Sequence, residues 1–257
     1  MKSVYAAPVI TIGYGDPSCA KRNRRLSVQI TLLKSGSNMK KYKLVIFDMD
    51  GTILNTLEDL ADSTNEIMGR HGFPLHTLDE IRMYVGNGLE NLMRCAAPAD
   101  TADAVIQELL PEFRAYYQAH CRDKTGPYAG ITELIRQVHQ AGLLTAVVSN
   151  KPDSAVGKLS SEVFPGLMDL AMGESSKIRR KPAPDMVFAT LDRLGVRAEE
   201  ALYVGDSDVD FCTAENAGMD CALVSWGFRG SEFIRRYPAK YHVDTAEELL
   251  KVLSIAG

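Results

Sequence analysis

The regular part of the chain opens at Lys43. There the apolar, β-branched run "KLVIFD" lacks polar alternation and predicts a short strand buried on both faces. Four runs of the same kind follow, "LLTAVVSN" (143–150), "MDLAMG" (168–173), "ALYVGD" (201–206) and "DCALVS" (220–225). Helical periods lie between them. "ITELIRQVHQAG" (131–142), "APDMVFATLDRLG" (183–195) and "DSDVDFCTAENAG" (206–218) each stop at a glycine suited to a left-handed cap. The last of these also starts with Asp and Ser, good capping residues. "TAEELLKVL" (245–253) is a final helical stretch. Strands alternating with helices predict an α/β fold: a doubly wound parallel sheet of Rossmann-like type.

One region breaks the alternation. From Leu57 to about Thr125 the periods are helical only. Leu57, Leu60, Ala61, Thr64, Ile67 and Met68 share one helix face, and that helix is expected to end at Gly69 or Gly72. "LENLMRCA" and "ADAVIQELLPEFRAYYQAH" continue the pattern, with Pro111 expected to split the second into two helices. The expected organisation is therefore a core of residues 39–55 and 126–257, with a small all-helical cap, 56–125, inserted after the first strand. Residues 1–38 hold no sustained period. They read as a disordered extension or a start assigned too early, because Met39 directly precedes "KKYKLVIFD".

Composition narrows the function. The 257 residues are 46% hydrophobic and 24% charged, ordinary for a chain that buries a real core, and no apolar run approaches the length of a membrane span. Residues 1–39 carry six Lys/Arg against Asp16 alone, so the net charge of −4 hides a remainder at −9. A domain that acidic is poorly suited to tracking a nucleic-acid backbone. Five scattered cysteines (19, 95, 121, 212, 221), never spaced C-x-x-C, argue against a disulfide framework and a zinc site, and for a cytoplasmic protein. The five histidines form no metal-binding pair, and no Walker loop or dinucleotide fingerprint is present.

Ligands of doubly wound sheets sit at the carboxyl ends of the strands, and here those ends are polar. The first strand ends in Asp48 and Asp50, one residue apart. The second ends in Ser149 and Asn150, and the fourth in Asp206 with Asp208 and Asp210 close behind. Lys181 precedes two prolines in "KPAPD". Neighbouring carboxylates repel, and a hard cation bound through oxygen, Mg²⁺ above all, offsets the repulsion. The lysine and Ser149 can grip an anion that the metal also binds. Asp208 alone reads as a solvated acid at a helix start, and Trp226 as packing near the rim.

"DMDGT" (48–52), "VVSN" (147–150), Lys181 of "KPAPD" and "GDSDVD" (205–210) occur in that order at strand ends. Together they resemble the haloacid dehalogenase superfamily, and within it phosphatases of the phosphoglycolate phosphatase type, over residues 43 to about 255. The resemblance implies a Mg²⁺-dependent phosphomonoesterase acting on a small phosphorylated metabolite, best guess 2-phosphoglycolate. Asp48 would be the nucleophile that forms an aspartyl-phosphate, and Asp50 the acid and base. Mg²⁺ would sit between Asp48, the backbone carbonyl of Asp50, and Asp206. Thr52, Ser149 and the Asn150 N–H would join substrate binding, with Lys181 as a fixed positive charge. Asp210, one helical turn beyond Asp206, would position Lys181 or a metal-bound water.

The cap is expected to choose the substrate. Gly86, Asn87 and Gly88 of "VGNGLENL" precede a helix start, where free N–H groups favour an anion, and resemble the family's specificity loop. Arg82 and Arg94 are nearby cations. Ala129 in "PYAG" departs from the usual "YPG" at the hinge. A dehalogenase would lack the second aspartate, and a phosphonate hydrolase would need a cap lysine beyond Lys124. A sugar-phosphate mutase, a pyrophosphatase and a catalytically idle binding protein on the same fold stay open, as does monomer against homodimer. No nucleic-acid or membrane partner is expected.

Overall fold

The computed structural model describes residues 41–255, so the expectations for residues 1–38 and for Cys19 fall outside the described residues. The chain runs β1 (Leu44–Phe47), β2 (Leu54–Asn55), α1 (Leu57–Arg70), α2 (Leu78–Tyr84), α3 (Gly88–Ala96), α4 (Asp103–His120) and β3 (Gly126–Pro127). It continues through α5 (Ile131–Gln140), β4 (Leu144–Pro152), α6 (Asp153–Val163), β5 (Leu170–Glu174), α7 (Asp185–Leu194) and β6 (Ala201–Gly205). The last elements are α8 (Asp208–Asn216), β7 (Asp220–Val224), α9 (Gly230–Ile234), β8 (Tyr241–Val243) and α10 (Ala246–Val252).

Six strands form one parallel sheet in the order β5-β4-β1-β6-β7-β8. β1 lies at its centre, and alternate side chains serve two cores. Val45 and Phe47 join the apolar cluster that holds α5, α6 and α10, while Leu44 and Ile46 join the cluster that holds α7, α8 and α9. That double burial is why β1 reads as an unbroken apolar run. The strand and helix alternation read from the sequence is the one the fold adopts, with α6, α9 and the three-residue β8 added to it.

Helices α1 to α4 lie between β2 and β3, which pair antiparallel with Leu54 opposite Pro127 and Asn55 opposite Gly126. The chain therefore leaves and re-enters the sheet region side by side. Asp59 of α1, 2% exposed, reinforces this join by accepting from the backbone N–H groups of Lys124 (2.9 Å) and Thr125 (2.8 Å). The split expected at Pro111 does not occur, and α4 is one helix of 18 residues. Proline's fixed φ is compatible with helix, and the carbonyl it deprives of a donor, that of Gln107, belongs to an exposed residue that water can serve. Ile106, Leu109, Leu110, Phe113 and Tyr117 line the buried face on both sides of the proline.

Candidate active site

The chain order reverses across the sheet between β1 and β6: β4 and β5 extend one way, β6, β7 and β8 the other. That switch point opens a crevice at the carboxyl ends of the central strands. Phe47 is in register with Val147 on one side and Val204 on the other, and the Asp48 N–H donates to the Val204 carbonyl at 2.9 Å. Asp48, Ser149 and Asp206 therefore reach one rim, where β1 and β6 end in step and β4 runs on beside them to Pro152.

A tight loop follows β1. The N–H groups of Thr52, Ile53 and Leu54 all converge on the Met49 carbonyl, at 3.3, 3.1 and 3.0 Å. Gly51 turns the loop at φ +81°, and a Cβ there would lie 2.5 Å from Asp206 Oδ2. Gly227 closes on Asp206 from the other side, where a Cβ would lie 2.3 Å from its Cβ. The Asp206 carboxylate thus fills space that only two glycines leave open. Gly51→Ala is expected to push Asp206 aside and raise the Mg²⁺ concentration for half-maximal turnover by at least about 10-fold. Metal titration of activity checks this, and an unchanged midpoint would contradict it.

Lys181 is the hub of the charges. Its side chain is 2% exposed, and Nζ lies 2.8 Å from Asp48 Oδ1, 2.8 Å from Asp210 Oδ1 and 3.1 Å from the Tyr203 hydroxyl. Burial alone would lower its pKa, but the charges of Asp210 and Asp48 prevail and hold the ammonium well above its ordinary range. Asp210 accepts from the Ser207 hydroxyl (2.6 Å) and from the N–H groups of Ser207 and Asp206, which forms the capping box of α8. Both its oxygens are therefore occupied. Asp206 accepts from the Thr52 hydroxyl (3.2 Å) and the Phe228 N–H (2.8 Å).

Carboxylate oxygens of Asp48, Asp206 and Asp210 all lie within 4.8 Å of one another, and all three residues are buried. Burial first, then the charges of Asp210 and Asp50 against the opposing Lys181, pushes the Asp48 pKa up to about 7. Burial and the charges of Asp210 and Asp48 raise Asp206 as well. Asp48 Oδ1 is buried and accepts no directed hydrogen bond, despite the ammonium beside it. An oxygen-only set with an unsatisfied buried acceptor and too much negative charge fits a hard divalent cation such as Mg²⁺. Asp48 and Asp206 are the side chains to hold it; Asp210, its oxygens engaged, stands behind Lys181.

A pH signature follows from this crowding. Between the ordinary value of 3.8 and about 7, the folded protein keeps a proton on Asp48 that the unfolded chain has lost. Stabilisation from that proton is present at acid pH and is lost as pH rises through the window. Bound Mg²⁺ must displace the proton, so its stabilisation grows as pH rises. Thermal unfolding with and without Mg²⁺ is expected to show a larger increment at about pH 8 than at about pH 5. Equal increments would contradict the crowded-carboxylate account.

The inserted helices close the crevice from above. Leu60, Val85, Leu89 and Leu92 line it together with Asp48, Asp50, Ser149, Lys181 and Asp206. Gly86 and Gly88 lie on the wall, and the Gly86 carbonyl accepts from Asn150 Nδ2 at 3.2 Å. Asn150 also braces Lys181, accepting from its N–H at 2.8 Å and donating to its carbonyl at 3.1 Å.

Several expectations of the sequence reading are not met in detail. Thr52 is buried, with its hydroxyl on Asp206 and its carbonyl on Trp226 Nε1 (2.9 Å), so it braces the acid and does not line the cavity. Asn87 is exposed and off the cavity wall. Arg82 and Arg94, to which the sequence reading gave no role, form exposed pairs, with Asp79 and with Glu90 and Asp103. Besides Lys181, the cations that line the cavity are Lys151 and Arg229, which the sequence reading missed. Lys151 Nζ lies 3.0 Å from Asp50 Oδ1 and donates to the Tyr117 hydroxyl. Burial would lower its pKa, but Asp50 and Tyr117 raise it above the ordinary lysine value. Arg229 donates to the carbonyls of Arg82 (2.9 Å) and Val85 (2.8 Å), clasping the end of α2 to the core. Lys151 directly follows Ser149-Asn150 on a strand, which is the signal that could have revealed it.

Residues 45–224 match the family model for haloacid dehalogenase-like hydrolases. The chain belongs to this family. Within it the chain is phosphoglycolate phosphatase-like: it is 31% identical to the phosphoglycolate phosphatase of Pseudomonas savastanoi pv. phaseolicola, over 81% of this chain and 78% of that protein. It is 30% identical to the N-acetylmuramic acid 6-phosphate phosphatase of Pseudomonas aeruginosa, over 84% and 96%. A crystal structure from Lactobacillus delbrueckii subsp. bulgaricus, whose name assigns it provisionally to the phosphoglycolate phosphatases, superposes with a TM-score of 0.78. It is 39% identical and covers 84% of this chain and 99% of that one. The candidate site lies at the sheet's switch point, and none of the described helices is long and apolar enough to cross a membrane.

Proposed function

We propose that the protein is a Mg²⁺-dependent phosphatase that hydrolyses a small phosphomonoester, 2-phosphoglycolate being the best candidate, through a phosphoryl group carried by Asp48. The observation that carries this reading is the Asp48–Lys181–Asp210 chain of contacts with Asp206 beside it. A nucleophilic carboxylate, an anion-binding ammonium and a cation-holding acid meet there in one cavity.

Each residue has a task that its surroundings support. Asp48 attacks phosphorus in line as the ester P–O bond breaks, and Asp50 gives its proton to the departing alkoxide. Asp50 then takes a proton from the water that attacks the phosphorus of the aspartyl-phosphate, which frees phosphate and restores Asp48. The Ser149 hydroxyl, which accepts from the Lys151 N–H at 3.3 Å and keeps its own proton to donate, holds a phosphoryl oxygen together with the Asn150 N–H. Lys181 fixes a positive charge against the same group. Asp48 and Asp206 would hold Mg²⁺, which would supply charge neutralisation for Asp48 and the phosphoryl oxygens. Helices α1 to α4, a cap over the core, exclude bulk water while the phosphoryl group moves.

The relatives named phosphoglycolate phosphatase, one at 31% identity, support 2-phosphoglycolate, with N-acetylmuramic acid 6-phosphate as the second candidate. Phosphate release from 2-phosphoglycolate, N-acetylmuramic acid 6-phosphate, pyrophosphate and β-glucose 1-phosphate, with Mg²⁺ and with chelator, tests the reading. Chelator-sensitive turnover fastest on phosphoglycolate is expected. Faster turnover of another compound would replace the substrate, and no release from any would reject the phosphatase reading.

A further inference from the structure

Lys151 is as buried as Lys181, with a side chain 1% exposed against 2%, yet the chemistry proposed above leaves its ammonium without a task. Its contacts join three separate parts of the chain. Lys151 belongs to β4 of the core, Asp50 to the loop after β1, and Tyr117 to α4 of the inserted helices. The ammonium lies 3.0 Å from Asp50 Oδ1, donates to the Tyr117 hydroxyl and stands 4.4 Å from the centre of the Tyr117 ring. A buried cation of this kind is kept only where its partners are in place.

We propose that Lys151 is a positioning residue that ties the closed arrangement of α4 to the orientation of Asp50. This rests on the phosphatase reading above. Asp50 Oδ1 receives two contacts, from Lys151 and from the hydroxyl of Thr56 at 2.6 Å. Two partners on one oxygen fix the rotation of the carboxyl group. Oδ2 has no hydrogen bond among the described residues, and Asp50 lines the cavity, so Oδ2 is the oxygen left to exchange a proton with the ester. Thr56 precedes α1 directly and Tyr117 lies in α4, so both outer ends of this chain of contacts belong to the inserted segment. Withdrawal of the inserted segment takes Tyr117 from Lys151 and Thr56 from Asp50, which leaves the Lys151 ammonium half-partnered and frees Asp50 to turn. The acid is therefore aligned when the cavity is closed and idle when it is open.

The leaving group separates this role from a structural one. A strongly basic alkoxide must be protonated as it leaves, whereas p-nitrophenolate leaves without help. Lys151→Met is expected to lower kcat/KM, which reports the first phosphoryl transfer and not the later hydrolysis common to both esters, by about 100-fold on 2-phosphoglycolate and by less than about 10-fold on p-nitrophenyl phosphate. Tyr117→Phe, which removes only a hydroxyl, is expected to shift the ratio of the two rates in the same direction by about 5-fold, and Lys151→Arg to restore part of it. The ratio is measured on one protein sample, so partial misfolding cancels. Equal losses on both esters would overturn the positioning role, and a rise in KM alone would make Lys151 a substrate ligand instead. If the parent protein hydrolysed neither ester, the phosphatase reading itself would fail and take this proposal with it. Parental turnover with an unmoved ratio would sink this proposal alone.

Discussion

Asp48→Asn is expected to lower turnover of every substrate by at least about 10⁴-fold if Asp48 is the proposed nucleophile, because the amide cannot form the phosphoryl-enzyme and Asp206 and Asp210 are engaged elsewhere. Asp210 is committed to Lys181 and to the α8 cap, and Asp206 to Thr52 and Phe228. The substitution is close to isosteric and removes one charge from a crowded set. The metal-free variant is therefore expected to unfold at nearly the parental temperature, while the gain on adding Mg²⁺ shrinks. Steady-state rates and thermal unfolding on one preparation check both halves. Residual activity within about 10-fold of the parent would exclude Asp48 as the nucleophile.

Lys181→Met should be the most damaging change to stability. It leaves Asp48 and Asp210, both buried, without the cation that bridges them. Removing one member of a buried ion pair costs about 3–5 kcal/mol, which for a chain of this size is on the order of 10 °C in unfolding temperature. The loss is expected to be smallest at acid pH, where Asp48 carries a proton, and to grow as pH rises towards and beyond about 7. Turnover is expected to fall too, since the proposed mechanism uses the Lys181 charge to hold the phosphoryl group. A variant that melts with the parent at every pH would show that the bridge contributes nothing to the fold.

What the sequence made legible follows from which physics is local. β1, β4, β6 and β7 are short apolar runs because both faces of each are covered, and their polar last residues stand out against that background. Asp48, Asp50, Ser149, Asp206 and Lys181 could be assembled at one rim from strand order alone. The weak elements escaped for equally local reasons. α6 holds Gly157 and three serines in "DSAVGKLSSEV", β8 has three residues, and β2 and β3 have two each. Pro111 misled because the sequence cannot show that the carbonyl it deprives belongs to an exposed residue.

The contacts that join the inserted helices to the core were illegible. Lys151 meets Tyr117 across 34 positions, and Arg229 meets the Arg82 carbonyl across 147. Nothing in local periodicity encodes such pairs. Thr52 was misplaced for a related reason: a hydroxyl near a strand end can face the cavity or a neighbouring acid, and the glycines around Asp206 decide which. The site's first charges are thus a property of strand ends, whereas their alignment is a property of tertiary closure.

The central claim is that Asp48 itself carries the phosphoryl group. Quenching the enzyme during turnover of 2-phosphoglycolate with Mg²⁺ and reducing it with borohydride converts an aspartyl-phosphate to homoserine, which peptide mass spectrometry can locate. Homoserine at position 48, and nowhere else, is the expected result. Continued phosphate release with position 48 unmodified throughout would contradict the account.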